Sequence, residues 1–206
     1  MDALAQPTVM DETDAVRVRL YTLLAQILAR PPSPYLLGTL AGLGGDESPL
    51  GQALGALGAA AAATGVEAAE REFNALFIGV DRGELVPYAS YYLTGFLNDR
   101  PLARLRQDMA ALGVERAPGV PEPEDHIAAL CEVMAGLIGG GFGAPAGEDQ
   151  QRRFFDRHMG PWAVRFFTDL EHASAAALYR PVGTLGRLFL TIETNGFAAP
   201  PADESP

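Results

Sequence analysis

The run EPEDHIAALCEVMAGLI, residues 122–138, decides how the rest of the chain is read. Its second part sets Ile127, Leu130, Cys131, Met134, Leu137 and Ile138 at spacings that share one face of a helix. In its first part, Pro121 and Pro123 bracket Glu122, and Glu124, Asp125 and His126 follow. Proline fits the first turn of a helix, whose leading amides have no partner in any case. Glu124 and Asp125 complement the positive helix end, worth about 0.3–1 kcal/mol each at an exposed site. Capping alone does not require Glu122, Glu124, Asp125 and His126 together beside a flexible connector. Clustered carboxylates grip a guanidinium through charge-assisted, bidentate hydrogen bonds, and a histidine among them would change the local charge near neutral pH. On the residues alone, a helix start and a binding site both stand.

Outward from this run the pattern stays helical. Val16, Leu20, Leu23, Leu24 and Ile27 mark a first helix, stopped by RPPSP at 30–34 because proline lacks an amide and clashes with the preceding turn. Ser48-Pro49 opens another helix, and Thr64 and Glu67 have capping-box spacing before a helix carrying Phe73, Leu76 and Phe77. Leu102, Leu105, Met109 and Leu112 mark a further helix closed by Gly113. Phe166, Phe167 and Leu170 share a face, as do Val182, Leu185, Leu188, Phe189 and Ile192. No alternating strand pattern stands out. The expectation is an all-α single bundle of about eight to ten helices, in two lobes joined by a connector near residues 113–121. One domain is expected over residues 12–196, with 1–11 and 197–206 as flexible tails.

Composition narrows the function. Fifteen basic and 26 acidic side chains give a net charge of −11, which disfavours nucleic acid and anionic membranes and suits a cationic partner. Residues 48–66 carry no charge but are Ala/Gly-rich, too poor in Leu, Ile and Val for a membrane span. Cys131 is the sole cysteine, so neither an intrachain disulfide nor a multi-cysteine zinc site is expected, and a reducing cytoplasm is the simplest setting. The opening MDALAQPTVMDETD is acidic, unlike a signal peptide. No phosphate loop, dinucleotide fingerprint, nucleophile elbow or H-E-x-x-H pair is present, and neither catalysis nor a metal is expected of His126, His158, His172 or Cys131.

Between residues 78 and 92 lies PYASYY, with Tyr88, Tyr91 and Tyr92 around Ser90. Such tyrosines either pack the loop onto the bundle or present amphipathic faces at a groove. The ordered blocks EFNALFIG, PYASYYL, PLARLRQDMAALGV, EPEDHIAALCEVMAGLI and QRRFFDRHMGPWAVRFF resemble the TorD/DmsD/NarJ family of molybdoenzyme maturation chaperones over residues 16 to 195. The E-P-x-D-H element is the most specific block, and the ordered set is more specific than any one.

The resemblance implies an all-helical cytoplasmic chaperone, not an enzyme. It would bind the twin-arginine signal peptide and apo form of a molybdenum-containing oxidoreductase, assist cofactor insertion and delay export. It also implies which residues meet the peptide: Leu76 and Phe77, Tyr88 and Ser90 after Pro87, and Glu122, Glu124, Asp125 and His126, with Pro121 and Pro123 as a hinge. Phe73 stands where some members have tryptophan, and Asp81 or a close neighbour where some have an aromatic, so the client's identity stays open. No resident cofactor is expected beyond weak guanine-nucleotide binding; the client carries the molybdenum cofactor. Monomer and dimer both remain open. The alternatives are a helical adaptor that binds only the mature client or a cofactor-insertion protein, and a weak nucleotide-binding hydrolase.

Overall fold

A computed structural model describes residues 10–79, 82–116, 119 and 122–199. These residues form ten α-helices: α1 (Glu12–Ala29), α2 (Pro34–Ala41), α3 (Pro49–Ala63), α4 (Val66–Phe73), α5 (Ala89–Thr94), α6 (Arg100–Ala111), α7 (Ile127–Gly139), α8 (Glu148–His158), α9 (Ala163–His172) and α10 (Tyr179–Ala198). A π-helical turn, Asn74–Ile78, extends α4. No strand occurs among the described residues beyond an isolated antiparallel bridge between Tyr88 and His126. The all-α expectation holds. None of the described helices is long and apolar enough to cross a membrane.

The centre is α7. Val133 and Ala128 are buried as well as the six residues of its apolar stripe, so the helix is covered on several sides. It packs chiefly against α1, while α10 packs against α9 and α3. One continuous cluster of buried apolar side chains runs from Leu20 to Phe197 and includes residues on both sides of the connector.

Short polar residues set the helix starts. Asp11, Ser33 and Ser48 each accept a hydrogen bond from a first-turn amide. Thr64 does not open α4: its hydroxyl donates back to the Ala60 carbonyl at 2.7 Å, and Gly65 is the cap instead. With only Thr64 and Gly65 between α3 and α4, Thr64 belongs to the end of the first helix, which pre-empts the capping box with Glu67. α10 runs to Ala198, into the stretch read as a tail, and buries Phe197 against Phe155 with ring centroids 5.2 Å apart. Its Ile192, assigned to the apolar face, is 54% exposed.

Two glycines let α9 and α10 touch. A Cβ at Gly183 would lie 2.4 Å from the Glu171 amide nitrogen, and one at Gly186 would lie 2.2 Å from the Phe167 ring. Where α10 starts, the Glu72 carboxylate of α4 accepts from the amides of Ala177 (2.7 Å), Leu178 (3.1 Å) and Tyr179 (2.8 Å). An acid from one helix thus satisfies the orphan donors of another.

Candidate functional site

Residues 122–126 form a turn before α7, not its first turn. The His126 amide donates to the Pro123 carbonyl at 3.2 Å, and His126 itself is the N-cap, its Nδ1 accepting from the Ala128 amide at 3.1 Å. The helix therefore begins at Ile127, and Pro123, Glu124 and Asp125 lie outside it. The turn aims Asp125 backwards at α5. Its Oδ2 accepts from the Ser90 amide at 2.8 Å, and its carbonyl accepts from the Ala89 amide at 3.0 Å. The Ile127 amide donates to the Pro87 carbonyl at 2.9 Å, completing the link between residues 87–90 and 125–127.

This geometry assigns different work to the acids expected to share one face. Asp125 is fully buried and caps α5, so it does not face a peptide as the sequence reading had it. Its Oδ1 and the hydroxyl of Ser90, also fully buried, have no hydrogen-bond partner among the described residues. Asp125 borders a cavity of about 60 Å³, room for a water. Glu124 is paired with Arg106 at 2.8 Å. Partial burial is the largest single influence and opposes ionisation of Glu124, but the Arg106 hydrogen bonds, the residue's own amide and the charges of Arg106 and Arg116 together outweigh it and hold the carboxyl below the usual range. Glu122 is the exposed acid of the set; it accepts from the Tyr88 hydroxyl, and its carbonyl accepts from Arg116 Nη2 at 3.0 Å. Pro121 lies outside the described residues.

His126 also departs from expectation. It is 8% exposed, with the Tyr88 ring edge-on at 5.0 Å. Burial lowers its pKa to about 4 despite the attraction of Glu122 and Asp125, so it is neutral at physiological pH and does not switch charge near 7. Cys131 is fully buried, and that burial pushes its thiol pKa up, away from nucleophilic use. Among the described residues no cluster of three or more His, Cys, Asp or Glu side chains could hold a metal ion.

The aromatic residues do assemble a surface site. Phe77, Ile78, Tyr88, Tyr91, Phe96 and Leu97 line a groove of about 380 Å³. Ile78, Phe96 and Leu97 are 56%, 71% and 51% exposed, a costly concentration of apolar surface in one place. Leu76 is fully buried and belongs to the core rather than to the groove wall. The π-helical turn explains the division. Its widened bonding, Gly79 amide to Asn74 carbonyl at 2.7 Å, leaves the Ala75 and Leu76 carbonyls to the returning loop. Those carbonyls accept from the amides of Glu84 (3.1 Å) and Leu85 (2.8 Å). Gly83 permits this approach, because a Cβ there would lie 2.5 Å from the Phe77 carbonyl carbon. The loop is thereby laid beside the helix and delivers Pro87 and Tyr88 to the groove.

Sequence reading missed Ile78, Phe96 and Leu97. For Phe96 and Leu97 the signal was present in TGFLND, an apolar pair inside a turn-rich segment, where Gly95 (φ 83°) and Asn98 (φ 57°) take left-handed conformations.

Comparison with known proteins agrees with this architecture. The chaperone protein TorD of Vibrio cholerae is 29% identical over 126 residues, covering 58% of this chain and 57% of that protein. TorD of Vibrio atlanticus is 28% identical over 135 residues, 62% of this chain and 63% of that one. The matches thus span less than two thirds of these curated relatives. The crystal structure of a redox enzyme maturation protein from Archaeoglobus fulgidus superposes with a TM-score of 0.57 at 18% identity, covering 93% of this chain and 99% of that one; it shares the fold. The family model described as nitrate reductase delta subunit matches residues 44–168, which contain the groove, the E-P-x-D-H turn and α7. The chain therefore belongs to the nitrate reductase delta subunit family, the TorD/DmsD/NarJ kinship that its ordered sequence blocks imply.

Proposed function

We propose that this protein is a maturation chaperone for a molybdenum-containing oxidoreductase and that its groove binds the twin-arginine signal peptide of that client. The observation that carries the reading is the groove itself: exposed Ile78, Phe96 and Leu97 meet Phe77 and Tyr88, with the exposed Glu122 hydrogen-bonded at the Tyr88 rim. A twin-arginine signal has a cationic start and an apolar middle, which match an acid beside an apolar trough. Apolar burial, at about 25 cal/mol per Å², supplies most of the affinity. Glu122 and the net charge of −11 raise the encounter rate and set orientation. Retention of the apo client in the cytoplasm, cofactor insertion and delayed export follow from occupying the export signal. The role is that of a binding protein, not a catalyst.

Titration calorimetry of the full chain with a synthetic twin-arginine signal peptide from a molybdoenzyme tests this. Binding is expected, with Phe96→Ala weakening it by about tenfold or more, since most of a phenylalanine contact is lost. Glu122→Gln is expected to weaken it severalfold and to flatten its salt dependence. An absence of binding to every such peptide, with capture of the mature enzyme alone, would replace this reading by that of an adaptor for the folded client.

A further inference from the structure

A second cavity, of about 430 Å³, adjoins the apolar groove and shares with it Arg82, Val86, Tyr91 and Gly95. Its remaining polar wall is Glu84, Tyr92, Arg165 and Asp169. Formal charges balance there, so what the cavity offers is decided by which groups already have partners. Both acids do. Glu84 accepts from the Ser174 amide (2.6 Å), the Ser174 hydroxyl (2.8 Å) and the Ala175 amide (3.0 Å). Asp169 accepts from the Tyr92 hydroxyl at 2.9 Å.

The arginines are held differently. Arg82 donates to the Tyr91 hydroxyl at 3.0 Å and lies over that ring at 5.8 Å. Arg165 lies over the Tyr92 ring, also at 5.8 Å. Both are exposed, and neither forms an ion pair among the described residues. Two guanidinium groups are thus oriented by aromatic faces while most of their donors stay free. A planar fork of N–H groups in that state is matched by a carboxylate.

The position of the pair along α5 adds a direction. Tyr88, the N-cap of α5, meets Glu122; Tyr91, Tyr92 and Gly95, one to two turns further on, meet the arginines. The groove is therefore acidic at the start of α5 and presents unpaired guanidinium groups toward its end. We propose that Arg82 and Arg165 form a carboxylate subsite that takes an acidic residue placed just after the apolar stretch of the bound peptide, and so fix the peptide's direction along α5. The proposal rests on the groove being the peptide site.

Two synthetic peptides test it, identical through the twin arginines and the apolar stretch and differing only in glutamate or glutamine immediately after that stretch. Calorimetry on the full chain is expected to show the glutamate peptide binding about fivefold tighter. Arg165→Gln is expected to erase that difference. In Arg165→Glu the preference should invert in favour of a peptide with lysine at the same position. Equal binding of both peptides to the wild-type chain overturns the subsite and leaves the groove standing. So does a preference that survives in Arg165→Gln, or one equally strong with the glutamate moved ahead of the apolar stretch. Failure of every peptide to bind instead strikes the groove reading itself.

Discussion

Asp125 and His126 stand side by side in the sequence and do different structural work. Asp125→Ala removes the acceptor of the Ser90 amide and is expected to lower stability by about 1–3 kcal/mol in denaturant unfolding. Asp125→Asn keeps an acceptor oxygen and should recover at least half of that. For His126 the pH dependence has a definite sign. Its pKa falls from an ordinary 6.5 to about 4 on folding, so the folded state favours the neutral ring. The stability this contributes is complete above pH 6.5, declines as the unfolded chain takes up a proton, and is gone below about pH 4. The loss is on the order of 3 kcal/mol. His126→Asn, which retains a capping oxygen without a titrating ring, should reduce that decline when unfolding is measured between pH 7 and pH 4. That the 122–126 segment mattered was legible in the sequence; where each side chain pointed was not. The helix starts at Ile127 instead of Pro123, and a displacement of four residues turns Asp125 from a surface carboxylate into a buried cap.

Among elements, carboxylates recur as remote caps: Asp125 on α5, Glu84 on the amides after α9 and Glu72 at the start of α10. Part of the acidity that reads as a partner preference is therefore structural. Glu72→Ala should cost about 1–3 kcal/mol through α10 although the residue lies on α4, 107 positions before Tyr179. No local pattern foretells that contact, which is why helix periodicity found the elements but not what fastens them. The same holds for the α9–α10 approach. Gly183→Ala drives a methyl into the Glu171 backbone and should cost about 1–3 kcal/mol by the same measurement. The groove was half legible for a related reason. Phe77, Ile78 and Tyr88 all lie in recognisable blocks, but Ile78 is turned outward by the π-helical turn, whose extra residue breaks the 3.6-residue register on which face assignment depends.

Across the whole molecule, α1, α8 and α10 are joined by one polar network inside the apolar cluster. Arg17 donates to both oxygens of Glu193 at 2.8 Å and to Gln151 at 2.9 Å, and the Tyr21 hydroxyl donates to Glu193 at 2.9 Å. The Arg17 and Glu193 side chains are 15% and 6% exposed. Arg17→Ala leaves a buried carboxylate without its cation and should cost about 3–5 kcal/mol. The double variant Arg17→Met/Glu193→Leu should recover most of that in a double-mutant cycle. Single-bundle architecture was legible from composition and periodicity. This network was not, because Arg17 and Glu193 are 176 positions apart. That separation also sets a timetable. At about 5–20 residues per second, roughly nine to thirty-five seconds pass on the ribosome between synthesis of the arginine and of its partner. Through that interval α1 lacks the helix that closes its polar side, so completion of the fold waits for residues 179–198 to emerge. A protein that would guard another chain's unfinished state therefore passes through a prolonged unfinished state of its own.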